Sequence, residues 1–246
     1  MGIGANRRAW DWVSALRKSA CGGEACLYTG LVTTIRRHSP ETGATEAIAR
    51  AVADLVRPGD VVRLVGELGA GKTTLVRGIA AAMGCDAGLV NSPTFVMINE
   101  YDGPRAKLVH VDAYRLHSAE DLEALGWDRY TGDPRVIMLV EWPERVEAAL
   151  ASADRCLTIT IAHDSPSSRA ITMSVPESWS DRAAYAAFVE RDPVRCSITR
   201  AWVAPTAATY PFANDRARLA DLNRGFTESY SMPRAMNADE DEESLG

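Results

Sequence analysis

The first clear pattern in the chain is a helical stripe of apolar residues within TEAIARAVADLV, residues 45–56. Apolar side chains recur there every three or four positions, which is typical of a helix with one buried face. The stripe consists of Ala47, Ile48, Ala51, Val52, Leu55 and Val56. Pro58 and Gly59 end this helix, and the following DVVRLVG, rich in β-branched residues, predicts a strand.

Further along, short apolar runs alternate with turn signals. VNSPTFVMINEY predicts a loop that leads into a short strand, and AKLVHVDAYRL predicts another strand. Residues 118–126 predict a short helix with Ser118 as its N-cap and Asp121 in the capping-box position. RVIMLVEW, residues 135–142, is apolar almost throughout, as expected of a strand buried on both faces. LTITIAH and AITMSV, joined by residues 164–168, predict a hairpin, so we expect a mixed α/β sheet.

The pattern weakens on both sides of this region. Asp181 to Glu190 predicts one helix, but the segment after Ser197 has no clear period. The acidic run at residues 239–243 is typical of a solvated, disordered end. We therefore predict three parts: an N-terminal extension (1–34), a central domain (35–176) and a C-terminal extension (177–246).

Composition narrows the classes of protein to consider. The chain has 246 residues, 46% of them apolar and 24% charged, which is ordinary for a globular protein. The net charge is −6, but five negative charges lie in residues 239–243, so the rest is nearly neutral and lacks the footprint of a nucleic-acid-binding protein. No apolar run approaches the roughly 20 residues of a membrane span. Five scattered cysteines suit a reducing compartment, and we expect a cytoplasmic protein with no membrane contact.

Candidate chemistry begins with GELGAGKTT, residues 66–74, which has the spacing G-x-x-x-x-G-K-T. It lies between the predicted strand and a predicted helix, KTTLVRGIAAAM, which Gly84 closes, and this is the context that a phosphate-binding loop requires. The loop and the helix dipole would bind the phosphates of ATP. The lysine would reach the outer phosphates, and the first threonine would bind Mg²⁺. The predicted nucleotide-binding residues are Gly69, Ala70, Gly71, Lys72, Thr73 and Thr74.

Magnesium normally needs an acidic contact as well. Glu141 and Asp112 each end a predicted strand, where parallel strands present side chains to one edge of the sheet. One would hold the metal and the other would orient or deprotonate water, but either could also be a surface carboxylate, and the sequence does not assign the two roles. Trp142, next to Glu141, packs either near the nucleotide or a partner, or half-buried in the core.

The combination of motifs resembles the TsaE family, also called YjeE, the ATPase of bacterial tRNA threonylcarbamoyladenosine biosynthesis. The resemblance covers about residues 35–175. The motifs, in the family's order and spacing, are GELGAGKTT, SPTF (92–95), NEY (99–101), VDAYRL (111–116), LGWDRY (125–130) and VEWPERV (140–146). The resemblance implies a P-loop NTPase-like mixed sheet flanked by helices, with a C-terminal hairpin. It also implies ATP and Mg²⁺ as ligands, the proteins TsaD and TsaB as partners, and contact with tRNA only through that complex.

Individual positions carry over by motif. Lys72 matches the phosphate lysine and Asp112 an acid needed for hydrolysis, so we predict both as catalytic. Thr73 and Glu141 match the magnesium ligands.

Three further positions are expected to contact the nucleotide. Thr94 lies in the switch-like loop at residues 92–95, Thr45 lies near the start of the first helix, and Arg169 follows the hairpin turn. The residues before Thr45, Glu41 to Ala44, depart from the family pattern, and both extensions lie outside it.

The resemblance implies that ATP hydrolysis resets the TsaD–TsaB complex between turnovers. Two other functions fit a phosphate-binding loop. One is a small-molecule or nucleoside kinase, which would need an acceptor pocket and usually an arginine-bearing lid. The other is a non-enzymatic interaction module, against which the intact Lys72, Thr73 and Glu141 argue.

Overall fold

A computed structural model describes residues 32–93, 97–131, 133–150 and 155–229. The predicted N-terminal extension up to residue 31, Thr94 and the acidic tail lie outside these residues. Within the described part of the chain, none of the helices is both long and apolar enough to cross a membrane.

A seven-stranded mixed sheet forms the centre of the molecule, in the order β1-β7-β6-β2-β5-β4-β3. Its strands are β1 (Val32–Ser39), β2 (Val61–Val65), β3 (Ile98–Asp102), β4 (Lys107–Asp112), β5 (Val136–Glu141), β6 (Cys156–His163) and β7 (Arg169–Pro176). The four central strands β6, β2, β5 and β4 are parallel, and the outer pairs are antiparallel. This confirms the mixed sheet and the hairpin, which is β6–β7.

Helices cover both faces of the sheet. They are α1 (Thr42–Leu55), α2 (Lys72–Ala82), α3 (Ala119–Ala124), α4 (Asp128–Thr131), α5 (Tyr185–Glu190) and α6 (Asp215–Ser229). On one face, Ile48 of α1 and Ile79 of α2 pack with Leu139 of β5. On the other, Leu122 of α3 packs with Val140. Because alternate β5 side chains enter both cores, all six of its residues are buried, as the apolar run predicted.

Two helix starts differ in detail from the sequence pattern. Helix α1 begins at Thr42, three residues before the predicted helical segment, which starts at Thr45. The Ser118 side chain accepts a hydrogen bond from the Asp121 amide at 3.4 Å, as predicted, and helix α3 follows it. The Asp121 carboxylate accepts in return from the His117 amide at 2.8 Å, one residue earlier than a capping box requires.

Strand β1 was not predicted, because only one of its inward side chains is apolar. Ile35, Arg37 and Ser39 are the buried residues of VTTIRRHS. The Arg37 guanidinium is buried but paired, since it donates to the carbonyl of Phe188 and to the carboxylate of Asp192. The strand is therefore held by polar contacts with the C-terminal part of the chain as well as by its ladder with β7.

The C-terminal part is more ordered than its sequence indicated. Trp179 and Phe188 are buried in the same core as α1 and α2. Beyond them, β8 (Val194–Arg195) and β9 (Trp202–Val203) form a two-stranded antiparallel sheet. A separate small cluster of Cys196, Val203 and Ala217 joins this sheet to α6. The sequence after Ser197 has no clear period, so its pattern did not reveal β9 or α6.

Candidate functional site

The phosphate-loop motif forms the turn between β2 and α2, as predicted. Gly69 and Gly71 have φ of +76° and +108°, and a Cβ added at either would meet nothing within 4 Å, so this part of the loop faces open space. Gly66 is different, because a Cβ there would lie 2.4 Å from the Ile161 carbonyl oxygen of β6. The motif therefore needs glycine for left-handed turns at its tip and for close packing at its base.

Lys72, the first residue of α2, points its ammonium group back into the loop. Nζ donates to the carbonyl oxygens of Gly66 at 2.8 Å and Glu67 at 3.0 Å. It also lies 4.1 Å from the ring centroid of Trp142, and such a cation–π contact stabilises the charge. Burial lowers the pKa of Lys72 below its usual value, while the carboxylates of Glu141 and Asp112 oppose this shift.

Trp142 reaches the lysine because the chain turns sharply after β5. Its φ of +57° is left-handed, which is unusual for an aromatic residue and is typical of functional sites. The indole packs against the ring of Tyr114, with the centroids 5.1 Å apart. Trp142 is also half-buried against the core on that face of the sheet, so its contacts fit both interpretations that the sequence left open.

Glu141 and Asp112 are brought together at the carboxyl ends of β5 and β4. They are paired neighbours in the parallel register, and both are buried. Glu141 Oε1 accepts a hydrogen bond from the Thr73 hydroxyl at 2.7 Å. Asp112 accepts from the Tyr114 amide at 3.1 Å and from the Ser92 hydroxyl at 3.0 Å. Glu141 is thus tied to the phosphate loop, and Asp112 to the segment that begins the predicted switch loop.

His110 is a site residue that the sequence analysis missed, having no metal-ligand spacing to identify it. Its side chain is fully buried, and Nε2 lies 3.0 Å from Glu141 Oε1. Nδ1 has no hydrogen-bond partner among the described residues. Its position two residues before Asp112 could have identified it, because residues i and i+2 of a strand lie on the same face of the sheet. Thr73 and His110 therefore contact the same oxygen of Glu141 from two sides.

On the other side of the loop, Thr45 and Arg169 lie where the sequence placed them. Arg169 Nε donates to the Ala70 carbonyl at 2.9 Å, so the start of β7 holds the loop backbone. The Thr45 hydroxyl lies 2.7 Å from that of Ser39. Thr45, Ala70, Thr74 and Arg169 line a pocket beside the loop that is open to solvent.

The donor set suits Mg²⁺ with a nucleotide. Among the described residues there is no group of three or more His, Cys, Asp and Glu side chains that could hold a metal ion by themselves. Thr73 and Glu141 provide two oxygen ligands side by side. Magnesium in nucleotide sites commonly takes only one or two protein ligands and completes its shell with phosphate oxygens and water. The open loop next to this pair is where those phosphates would lie.

Comparison with known proteins agrees with this site. The family model for "Threonylcarbamoyl adenosine biosynthesis protein TsaE" matches residues 39–171. The chain belongs to the TsaE family. The matched region runs from the end of β1 into β7 and includes every site residue described above. The family takes part in the biosynthesis of threonylcarbamoyladenosine in tRNA.

Two relatives found by sequence support the assignment. The chain is 42% identical over 120 residues to the TsaE protein of Bacillus subtilis, covering 49% of this chain and 73% of that one. It is 47% identical over 102 residues to TsaE of Streptomyces coelicolor, covering 39% and 66%. The crystal structure of YdiB from Bacillus subtilis is 34% identical with a TM-score of 0.47, covering 59% of this TsaE-family chain and 88% of YdiB.

Proposed function

We propose that this TsaE-family chain binds ATP with Mg²⁺ and hydrolyses it, and that hydrolysis resets the TsaD–TsaB complex during tRNA threonylcarbamoyladenosine biosynthesis. The observation that carries the proposal is the bond between Thr73 and Glu141 beside the buried Lys72. Lys72 and Thr73 at the start of α2 and Glu141 at the end of β5 would supply a phosphate cation and two metal ligands side by side.

The residues divide into roles by their contacts. Lys72 binds the outer phosphates from its position in the loop, and the nearby carboxylates of Glu141 and Asp112 oppose the lowering of its pKa by burial. Thr73 and Glu141 hold Mg²⁺, which neutralises charge on the phosphates. His110 fixes the Glu141 carboxylate, which leaves Asp112 as the residue that orients the attacking water.

The surface near the site favours docking of a protein partner. Leu68 at the tip of the loop is 81% exposed, and Tyr114, which packs against Trp142, is 46% exposed. Large apolar side chains exposed beside a binding site are typical of interaction surfaces. A partner bound there would contact both the phosphate loop and the residues that follow Asp112. We expect such a partner to raise a slow basal rate of ATP hydrolysis.

The test is ATP hydrolysis by the purified chain, alone and with TsaD–TsaB. Lys72→Ala should weaken ATP binding by about 10–100-fold, since a hydrogen bond to a charged group contributes about 1.5–3 kcal/mol, and should abolish turnover. Lys107→Ala is the matched control. Lys107 lies at the end of β4 opposite to Asp112 and pairs with Glu100. Hydrolysis by folded Lys72→Ala at the parental rate would refute the assignment of the phosphate loop. Absence of hydrolysis in the parent would refute the ATPase, and absence of stimulation in the parent would refute the partner.

A further inference from the structure

The C-terminal segment beyond the family match contacts the start of α1, next to the phosphate loop. Trp202 Nε1 and the Arg195 guanidinium both donate to Glu41 Oε1. Arg50, which lies further along α1, donates to the Trp202 carbonyl oxygen at 3.3 Å. The small sheet β8–β9 is therefore attached to the first turns of α1 by three polar contacts.

Gly43 shows that this packing is close. A Cβ added at Gly43 would lie 2.7 Å from Cδ1 of Trp202, nearer than a methyl group can approach an indole. Glycine inside a helix costs about 1 kcal/mol relative to alanine, so its presence in the first turn needs a reason. Residues 41–44, which depart from the family pattern, are complementary to the C-terminal segment. Gly43 makes room for Trp202, and Glu41 accepts a hydrogen bond from the Trp202 indole.

Glu41 also lies on the pocket beside the phosphate loop. The pocket is bounded by Glu41 and Thr45 of the α1 region and by Ala70 and Thr74 of the loop region. Neither Asp112 nor Glu141 lines it. If the outer phosphates lie at those two acids, the nucleoside end of the same molecule must extend away from them, along the side of the loop where this pocket opens.

We infer that Arg195 and Trp202 are positioning residues for the nucleoside half of the nucleotide and act through Glu41. The inference rests on the proposed ATP binding. Both donors occupy Oε1 and fix the orientation of the Glu41 carboxylate, which leaves Oε2 to accept from a hydroxyl or amino group of the nucleoside. The segment thus preforms one wall of the pocket.

The experiment compares two ligands on the full chain by calorimetry: Mg²⁺–ATP and Mg²⁺–tripolyphosphate, which has phosphates but no nucleoside. Arg195→Gln and Trp202→Phe should each weaken ATP binding about three- to tenfold, because the contacts are partly exposed, and should leave tripolyphosphate binding within about twofold. Thr206→Val is the matched control. The Thr206 hydroxyl donates to Asp54 at 2.7 Å, so this variant removes a contact between the same C-terminal segment and the far end of α1.

Gly43→Ala tests the contact from the other partner. Alanine favours the helix but displaces the indole, so we expect the same selective loss of ATP affinity without loss of thermal stability. Unchanged ATP binding in all three variants would overturn the inference, and so would equal weakening of both ligands, which would indicate a general structural role. If the parent binds tripolyphosphate but not ATP, the nucleoside pocket is wrong. If it binds neither, the proposed nucleotide function itself fails.

Discussion

Replacing His110 by leucine should separate the function of the site from its stability. The imidazole is fully buried and contacts Glu141 Oε1 through Nε2 at 3.0 Å, while Nδ1 has no partner among the described residues. Leucine removes both nitrogens and keeps an apolar side chain in the core. Glutamine is the matched variant, because its amide can place a donor close to the position of Nε2.

The stability terms of this change nearly cancel. Losing a hydrogen bond to a charged carboxylate costs about 1.5–3 kcal/mol, and removing a buried, unsatisfied nitrogen returns about 1–3 kcal/mol. The free energy of unfolding of His110→Leu should therefore lie within about 2 kcal/mol of the parent. The effect on metal binding has no such compensation, because Glu141 keeps only the Thr73 hydroxyl to hold Oε1. Losing an outer contact to a metal ligand typically costs about 10–100-fold in metal affinity or activity.

The assay is a titration of ATP affinity against Mg²⁺ concentration, with chemical denaturation measured on the same proteins. We expect His110→Leu to need about 10–100-fold more Mg²⁺ for half-maximal effect, and His110→Gln to stay close to the parent. Parental Mg²⁺ dependence in the leucine variant would refute a role of His110 in holding Glu141. A loss of stability well beyond the range above would show that the ring is primarily a core residue.

Two further predictions concern the neighbours of His110. Glu141→Gln should lower Mg²⁺-dependent turnover by at least about 100-fold, or about 2.7 kcal/mol of transition-state stabilisation, and change ATP affinity much less; unaltered Mg²⁺ dependence and turnover would place Glu141 outside the metal site and make Asp112 the better candidate. Because burial lowers the pKa of Lys72 in the folded protein, the unfolded state binds more protons as the pH approaches the usual lysine value of 10.5. The parent should therefore gain stability relative to Lys72→Met as the pH rises toward that value; denaturation curves with a pH-independent difference would contradict this.

The parts of the fold that could be predicted are those encoded by local apolar pattern. Strand β5 was recognisable because all six residues are buried and apolar except the last, and α1 because its stripe is continuous. Strand β1 was not recognised from the sequence because it buries Arg37, whose partners Phe188 and Asp192 lie about 150 residues away. A buried charge that is satisfied only by distant groups leaves no local signal in the sequence.

The same distinction separates the site residues. The loop, Glu141 and Asp112 could be placed from sequence because the motif and the strand ends fix them locally. The contact of Trp142 with Lys72 could not, because it depends on a left-handed residue after β5. The role of Glu41 depends on a segment more than 150 residues away, and no spacing along the chain indicates it.

The loop is held in shape by cations that belong to different parts of the fold. Lys72 binds the carbonyls of Gly66 and Glu67 from inside the loop, and Arg169 of β7 binds that of Ala70 from outside. Three carbonyl oxygens of a six-residue turn are therefore fixed by positive groups before any phosphate is present, and a loop that needs little reordering binds its ligand at lower entropic cost. Since β7 also pairs with β1, and β1 is tied to the C-terminal segment through Arg37, that segment supports the candidate site by two routes: through the sheet to the loop, and through Glu41 to the pocket wall.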